Sequence, residues 1–231
     1  MKHQGRWIAL GGILAILAAA IVAVCVVDPK YDLHYTVSAP EVKANTLEVV
    51  LEVHNSPLSR GKTVSLYIGD KDVTVQSCMG ADGVSLPAHQ TEDFLTFELG
   101  RGADVSLVYQ VPLGASGKHG QRGMVQEEYC VFDGGQALLL PMEYYQDGFP
   151  QDEAVVRSLR VSLKAREGWT AILPFEELQD VTWADAYNLN NDAFAMGNFA
   201  QYFPAEQTGG AAVYGVAGEE GQFPQEVASG I

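Results

Sequence analysis

Apolar and polar residues alternate along much of this chain. In NTLEVVLEVHN, Leu47, Val49, Leu51 and Val53 fall on one face and Glu48, Glu52 and His54 on the other. A period of two marks a strand with one buried face. Asn55-Ser56-Pro57 ends the run. YDLHYTVSA before it, and KTVSLYIG after it with Val64, Leu66 and Ile68, repeat the pattern. A turn at Gly69–Asp72 leads into VTVQS. Beyond a loop over 79–91, DFLTFEL and ADVSLVYQVPL predict two strands of a hairpin joined by Gly100-Arg101-Gly102. EEYCVF and QALLLPM predict two short strands around Asp133-Gly134-Gly135, and VVRSLRVSLKA alternates again through Val156, Leu159, Val161 and Leu163. VTWADAYNLNNDAFAMGNF has no regular period, and AAVYGVA is a last strand candidate. About nine strand signals before Ala165, with no long helical period, predict an all-β chain folded as an antiparallel β-sandwich.

One stretch departs from alternation. Trp7–Val27 is an apolar run of 21 residues without a charge. As a helix it would reach about 30 Å, the thickness of a hydrocarbon core. The fold class therefore reads as a β-sandwich preceded by a single N-terminal transmembrane helix. Three readings of the run are open. As an uncleaved signal anchor it leaves Lys2 and Arg6 in the cytoplasm and the rest outside. As a secretory signal it would be cut near Ala18-Ala19-Ala20, giving a secreted protein. As a lipoprotein signal it would end at Cys25, where Val24 departs from the usual small residue. The anchor divides the chain into a short basic end at 1–6, the anchor at 7–27, an extracytoplasmic β-domain at 28–203, and a tail at 204–231 that reads as a disordered end or a truncation.

Charge narrows the partners. The whole chain carries −15; after the anchor, 12 Lys plus Arg face 29 Asp plus Glu, or −17. Such a surface disfavours nucleic acid and anionic lipid head groups. Of the three cysteines, Cys25 lies in the apolar run. Cys78 and Cys130 form either a disulfide or two buried free thiols, and the sequence leaves both open.

Catalytic patterns are missing. There is no H-E-x-x-H and no G-x-S-x-G, and no two of the five histidines lie within 15 residues of each other. His34 and His54, at strand positions, read as surface or satisfied core groups. Glu127-Glu128 and Glu176-Glu177 are adjacent, so in a strand each pair splits between two faces. The glycine-rich loop at 114–123 holds Lys118, His119 and Arg122 but lacks phosphate-loop spacing. No catalytic residue, cofactor site or metal site is predicted.

Aromatic residues crowd one third of the chain. Two readings compete: core packing, or a face for peptide or glycan made from Tyr144, Tyr145, Trp169, Trp183 and Tyr187.

Within that third, Gly134/Gly135 to Pro141, Gly168-Trp169, Tyr187 to Leu189 and Gly197 to Phe199 form a series of short motifs. With the opening strand His34–Glu41, they resemble the N-terminal β-domain of gluzincin metallopeptidases, nearest the glycyl aminopeptidase family and more distantly aminopeptidase N. The likeness runs from Tyr31 to Phe203, with Tyr187 and Leu189 one residue closer than in the family pattern. It implies that the zinc ligands and general base belong to a catalytic domain beyond this one, so no catalytic role maps onto a residue here. The function it implies is a non-catalytic accessory domain that supports a catalytic domain or binds a peptide or protein partner. The alternative from a different class is an envelope adhesion or carbohydrate-binding module.

Overall fold

A computed structural model of the chain describes residues 30–39, 45–55, 61–69, 71–114, 116–117, 120–121, 123–203 and 213–216. The first half is strand after strand: β1 (Tyr31–Ser38), β2 (Thr46–Asn55), β3 (Lys62–Tyr67), β4 (Thr74–Gly80), β5 (Ala88–Gln90), β6 (Phe94–Leu99) and β7 (Asp104–Pro112). Short strands follow: β8 (Ser116–Gly117), β9 (Gly120–Gln121), β10 (Gly123–Val125) and β11 (Tyr129–Asp133). Then come helix α1 (Gly134–Ala137) and a 3₁₀ turn (Met142–Tyr145). The rest is β12 (Val156–Lys164), β13 (Thr170–Ile172), β14 (Glu177–Val181), helix α2 (Trp183–Asn191), β15 (Ala193–Gly197), β16 (Phe199–Phe203) and β17 (Val213–Val216).

The largest sheet has the order β14-β12-β1-β2-β7-β4. A three-stranded sheet, β3-β6-β5, shares its core. In β1, Tyr31, Leu33, Tyr35 and Val37 are buried while Asp32, His34, Thr36 and Ser38 face outward, as a period of two requires. Leu47, Val49, Leu51 and Val53 of β2 and Val105, Leu107, Tyr109 and Val111 of β7 continue that face. Val64, Leu66, Leu95, Phe97 and Leu99 come from the smaller sheet. A four-stranded sheet, β10-β11-β15-β13, carries Cys130, Phe132, Phe194 and Met196 into the same cluster.

The expected fold class needs correction. The described chain is mostly β with few helices, and no helix among the described residues is long and apolar enough to cross a membrane. The transmembrane helix is therefore not supported; residues 7–27 themselves lie outside the described residues, as does most of the 204–231 tail. The large sheet is also not wholly antiparallel. β1 pairs parallel with β12, Leu33 against Leu159 and Tyr35 against Val161. Side-chain alternation is the same in both pairings, so periodicity could not separate them.

Two local expectations also change. DFLTFEL and ADVSLVYQVPL are not a hairpin: β6 pairs with β3, and β7 with β2 and β4. The Gly100-Arg101-Gly102 turn carries the chain from one sheet to the other, with Gly102 at φ 57° and the Asn55 amide donating to the Gly100 carbonyl at 3.0 Å. QALLLPM is not a strand. Asp133 caps α1 by accepting from the Gln136 N–H at 2.7 Å, and Leu138–Leu140 run on as a buried extended strap. A buried strap must place its carbonyls. The Tyr109 hydroxyl donates to Ala137 O at 2.8 Å, Tyr35 to Leu139 O at 2.7 Å, and the Tyr67 N–H to Leu140 O at 2.8 Å. Two of those donors belong to the large sheet and one to the small, so the strap fastens both.

Candidate functional site

The strap ends at Pro141, and the chain turns through Met142–Tyr145 into an irregular loop before β12. Helix α2 packs nearby. It starts with a reciprocal cap: Asp185 N–H donates to Thr182 Oγ1, and the Thr182 N–H donates to Asp185 Oδ2 at 2.8 Å. Ala186 and Leu189 face inward. Trp183 and Tyr187, one helical turn apart, stack at 5.3 Å and 19°.

Between the loop and the helix lies an open cleft of about 480 Å³. Tyr144 and Ala186 form its buried base; Tyr145, Phe149, Trp183 and Tyr187 are its rings. Gln146, Asp147 and Gln151 on the loop and Asn190 on the helix supply polar groups. Tyr187 is 58% exposed, among the few large apolar side chains left open on the described surface.

The tyrosine hydroxyls are held by the fold. Tyr144 donates to Val181 O and accepts from the Val155 and Val156 N–H groups at 3.3 and 3.2 Å. Its ring meets Phe149 edge-on at 5.7 Å. Tyr145 donates to Asn190 Oδ1 at 3.0 Å and stacks on Tyr67 at 4.1 Å. These contacts hold both rings in place. Burial pushes the Tyr144 hydroxyl up to about 12 against the two N–H groups that donate to it, and pushes Tyr145 up to about 12 as well. Burial raises the Tyr31 and Tyr35 hydroxyls well above the usual range too. The folded chain thus holds these protons more tightly than the unfolded chain, whose tyrosines titrate near pH 10. Their contribution is full below about pH 10 and is lost as pH rises towards about 12. The urea midpoint is therefore expected to be lower at pH 11 than at pH 9. Equal midpoints would contradict the assignment.

The structure thus brings together Tyr144, Tyr145, Trp183 and Tyr187 of the five predicted face residues. Trp169 lies apart, next to β13, with the Arg166 guanidinium 4.6 Å over its ring. Cys78 on β4 and Cys130 on β11 are buried free thiols in different sheets, the second of the two open readings. Burial raises both, Cys130 to about 12.

The sequence reading missed a second constellation. On the outer face of the large sheet, His34 Nδ1 sits 3.2 Å from Glu52 Oε2, and its Nε2 lies 3.0 Å from Ser162 Oγ. Glu52 is the cross-strand partner of His34; Ser162 pairs with Thr36, two residues on along β1. Acid, imidazole and hydroxyl stand in the order of a hydrolytic triad. However, β1 is hydrogen-bonded along both edges, so its own N–H groups are engaged in the sheet rather than free for an oxyanion. Among the described residues no cluster of His, Cys, Asp or Glu could hold a metal ion.

No protein-family model matches the sequence, and no curated protein matches it. Solved structures do. An aminopeptidase N family protein from Idiomarina loihiensis is 12% identical, with a TM-score of 0.49 over 73% of this chain and 30% of its own. A two-domain M1 zinc metallopeptidase solved with L-tryptophan is 15% identical, with a TM-score of 0.46 over 87% of this chain and 52% of its own. The M1 zinc metallopeptidase from Deinococcus radiodurans is 17% identical, with a TM-score of 0.43 over 87% and 51%. These neighbours are aminopeptidase N family and M1 zinc metallopeptidases, the group whose N-terminal domain the short motifs resemble, and this chain spans about half or less of each.

Proposed function

We propose that this β-domain is a non-catalytic accessory domain, of the kind found beside zinc aminopeptidase domains, which binds a peptide or protein partner in the aromatic cleft. The cleft carries the reading. Its rings are fixed from behind by hydrogen bonds and stacking, yet its mouth leaves Tyr187 open to solvent. Rigid aromatic rings beside a few amides make a contact surface that loses little entropy on binding. The lining holds no serine, cysteine, histidine or lysine, so it offers no nucleophile with a base beside it.

A peptide array probed with the full chain tests this. The expected result is a set of peptides whose binding drops about tenfold in Tyr187→Ala, the usual loss when an interface aromatic is truncated. Binding to glycans alone, with no peptide retained, would favour the carbohydrate-binding module instead.

A further inference from the structure

We infer that the cleft selects a proline-rich segment in the polyproline conformation, neutral or basic in charge; this rests on the peptide-binding reading above.

The lining contains no strand edge. Its residues come from the 3₁₀ turn, the loop after it and helix α2. A ligand added as a β-strand needs a row of backbone groups to pair with, and the cleft has none. A helix laid in a groove needs contacts spread over two turns. The rings of this cleft, Tyr145, Phe149, Trp183 and Tyr187, are gathered on one turn, its loop and one helix. A ligand here finds no backbone ladder to pair with, and a polyproline helix needs none.

Donors and acceptors agree with this. Asn190 Oδ1 already accepts from Tyr145, so Asn190 has its Nδ2 group to offer. Trp183 brings an indole N–H, a donor only. Gln146 and Gln151 can turn their amides to donate. Asn190 and the two glutamines can thus donate N–H groups to a ligand carbonyl. Proline supplies a carbonyl and no N–H, so a proline-rich segment brings acceptors without donors that would need partners. Rings complete the match. The Trp183–Tyr187 pair is flat to 19° and Tyr145 lies flat on Tyr67 at 28°, giving ring faces for pyrrolidine to pack on.

Charge sets the flank. Asp147 is the one charged residue in the lining, and the chain as a whole carries −15. An acidic segment would meet repulsion and no cation; an arginine beside the prolines would meet Asp147.

The test is a tryptophan-fluorescence titration of the full chain with three ten-residue peptides. One is proline-rich with a terminal arginine. The second replaces the prolines by alanine and glutamine, and the third replaces the arginine by glutamate. The first is expected to bind at least tenfold more tightly than either of the others, and Tyr187→Ala to weaken it at least tenfold. Tyr187→Gln, on the same exposed helix position, repeats the measurement should the alanine variant not fold. If the alanine-glutamine peptide binds as tightly and remains sensitive to Tyr187, the proline selection is wrong and the peptide reading stands. If no peptide binds, both are wrong.

Discussion

Gly134→Ala is expected to destabilise the protein by about 3 kcal/mol or more, the upper end for forcing a methyl group into a packed interior. A Cβ at Gly134 would stand 2.0 Å from the Leu189 carbonyl oxygen and 3.3 Å from the Phe194 ring. The oxygen belongs to the backbone of α2 and cannot move alone. Gly134 also donates to Asp192 O at 3.0 Å, so the two helices touch backbone to backbone. Opening that contact shifts α2, and α2 carries Trp183, Tyr187 and Asn190. The melting midpoint should fall by roughly 6–12 °C for a chain of this size, and affinity at the cleft should fall with it. Gly83→Ala is the control: its φ is 75° but nothing lies within 4 Å of an added Cβ. It should cost only the backbone strain, about 1 kcal/mol. Calorimetry of the two variants checks both, and a Gly134→Ala midpoint no lower than that of Gly83→Ala would refute the close approach.

Tyr35→Ala should cost about 4 kcal/mol, within the range for removing a large buried ring. Tyr35→Phe should cost about 1–2 kcal/mol, because the ring stays and the Leu139 carbonyl is left buried without its donor. Tyr109→Phe removes the matching bond to Ala137. The two hydroxyls hold neighbouring points of one strap, so the double variant should lose less than the sum of the single ones. Urea unfolding of all four variants checks this. Strict additivity would mean that the strap is not a shared element.

The buried strand faces were legible because they follow from period two. Leu47 to Val53 and Tyr31 to Val37 needed only alternation, and both proved buried on one side. Partner choice was not legible. The β1–β12 pair joins distant residues, Tyr31 with Val156 and Leu33 with Leu159, and nothing near either strand encodes the other. The strap misled because Leu138–Leu140 is apolar without a period, and its backbone is satisfied by tyrosines from elsewhere in the chain. Helix α2 had a readable signal, Thr182 followed three residues later by Asp185, hidden inside a tract that otherwise looks irregular. At the cleft, the crowding of aromatics pointed to Tyr144, Tyr145, Trp183 and Tyr187. It could not exclude Trp169, because only the fold decides which rings share a wall. Gln146, Gln151 and Asn190 carried no sequence signal; polar loop and helix residues look alike until a cavity lies between them. The Glu52–His34–Ser162 line was equally invisible, as its members are brought together by register across three strands.

The parallel seat of β1 also sets an order of events. β1 can pair with β2 early, but its other edge waits for β12. At roughly 5–20 residues per second, a ribosome takes on the order of ten seconds to make the intervening chain. During that interval the edge of β1 is an open template, and closing the ring of contacts late carries the entropy of a long loop. The outward side chains of that strand, Asp32 and His34 among them, give the waiting edge a charged face. The same residues later settle into cross-strand contacts with Arg157, Ser158 and Glu52.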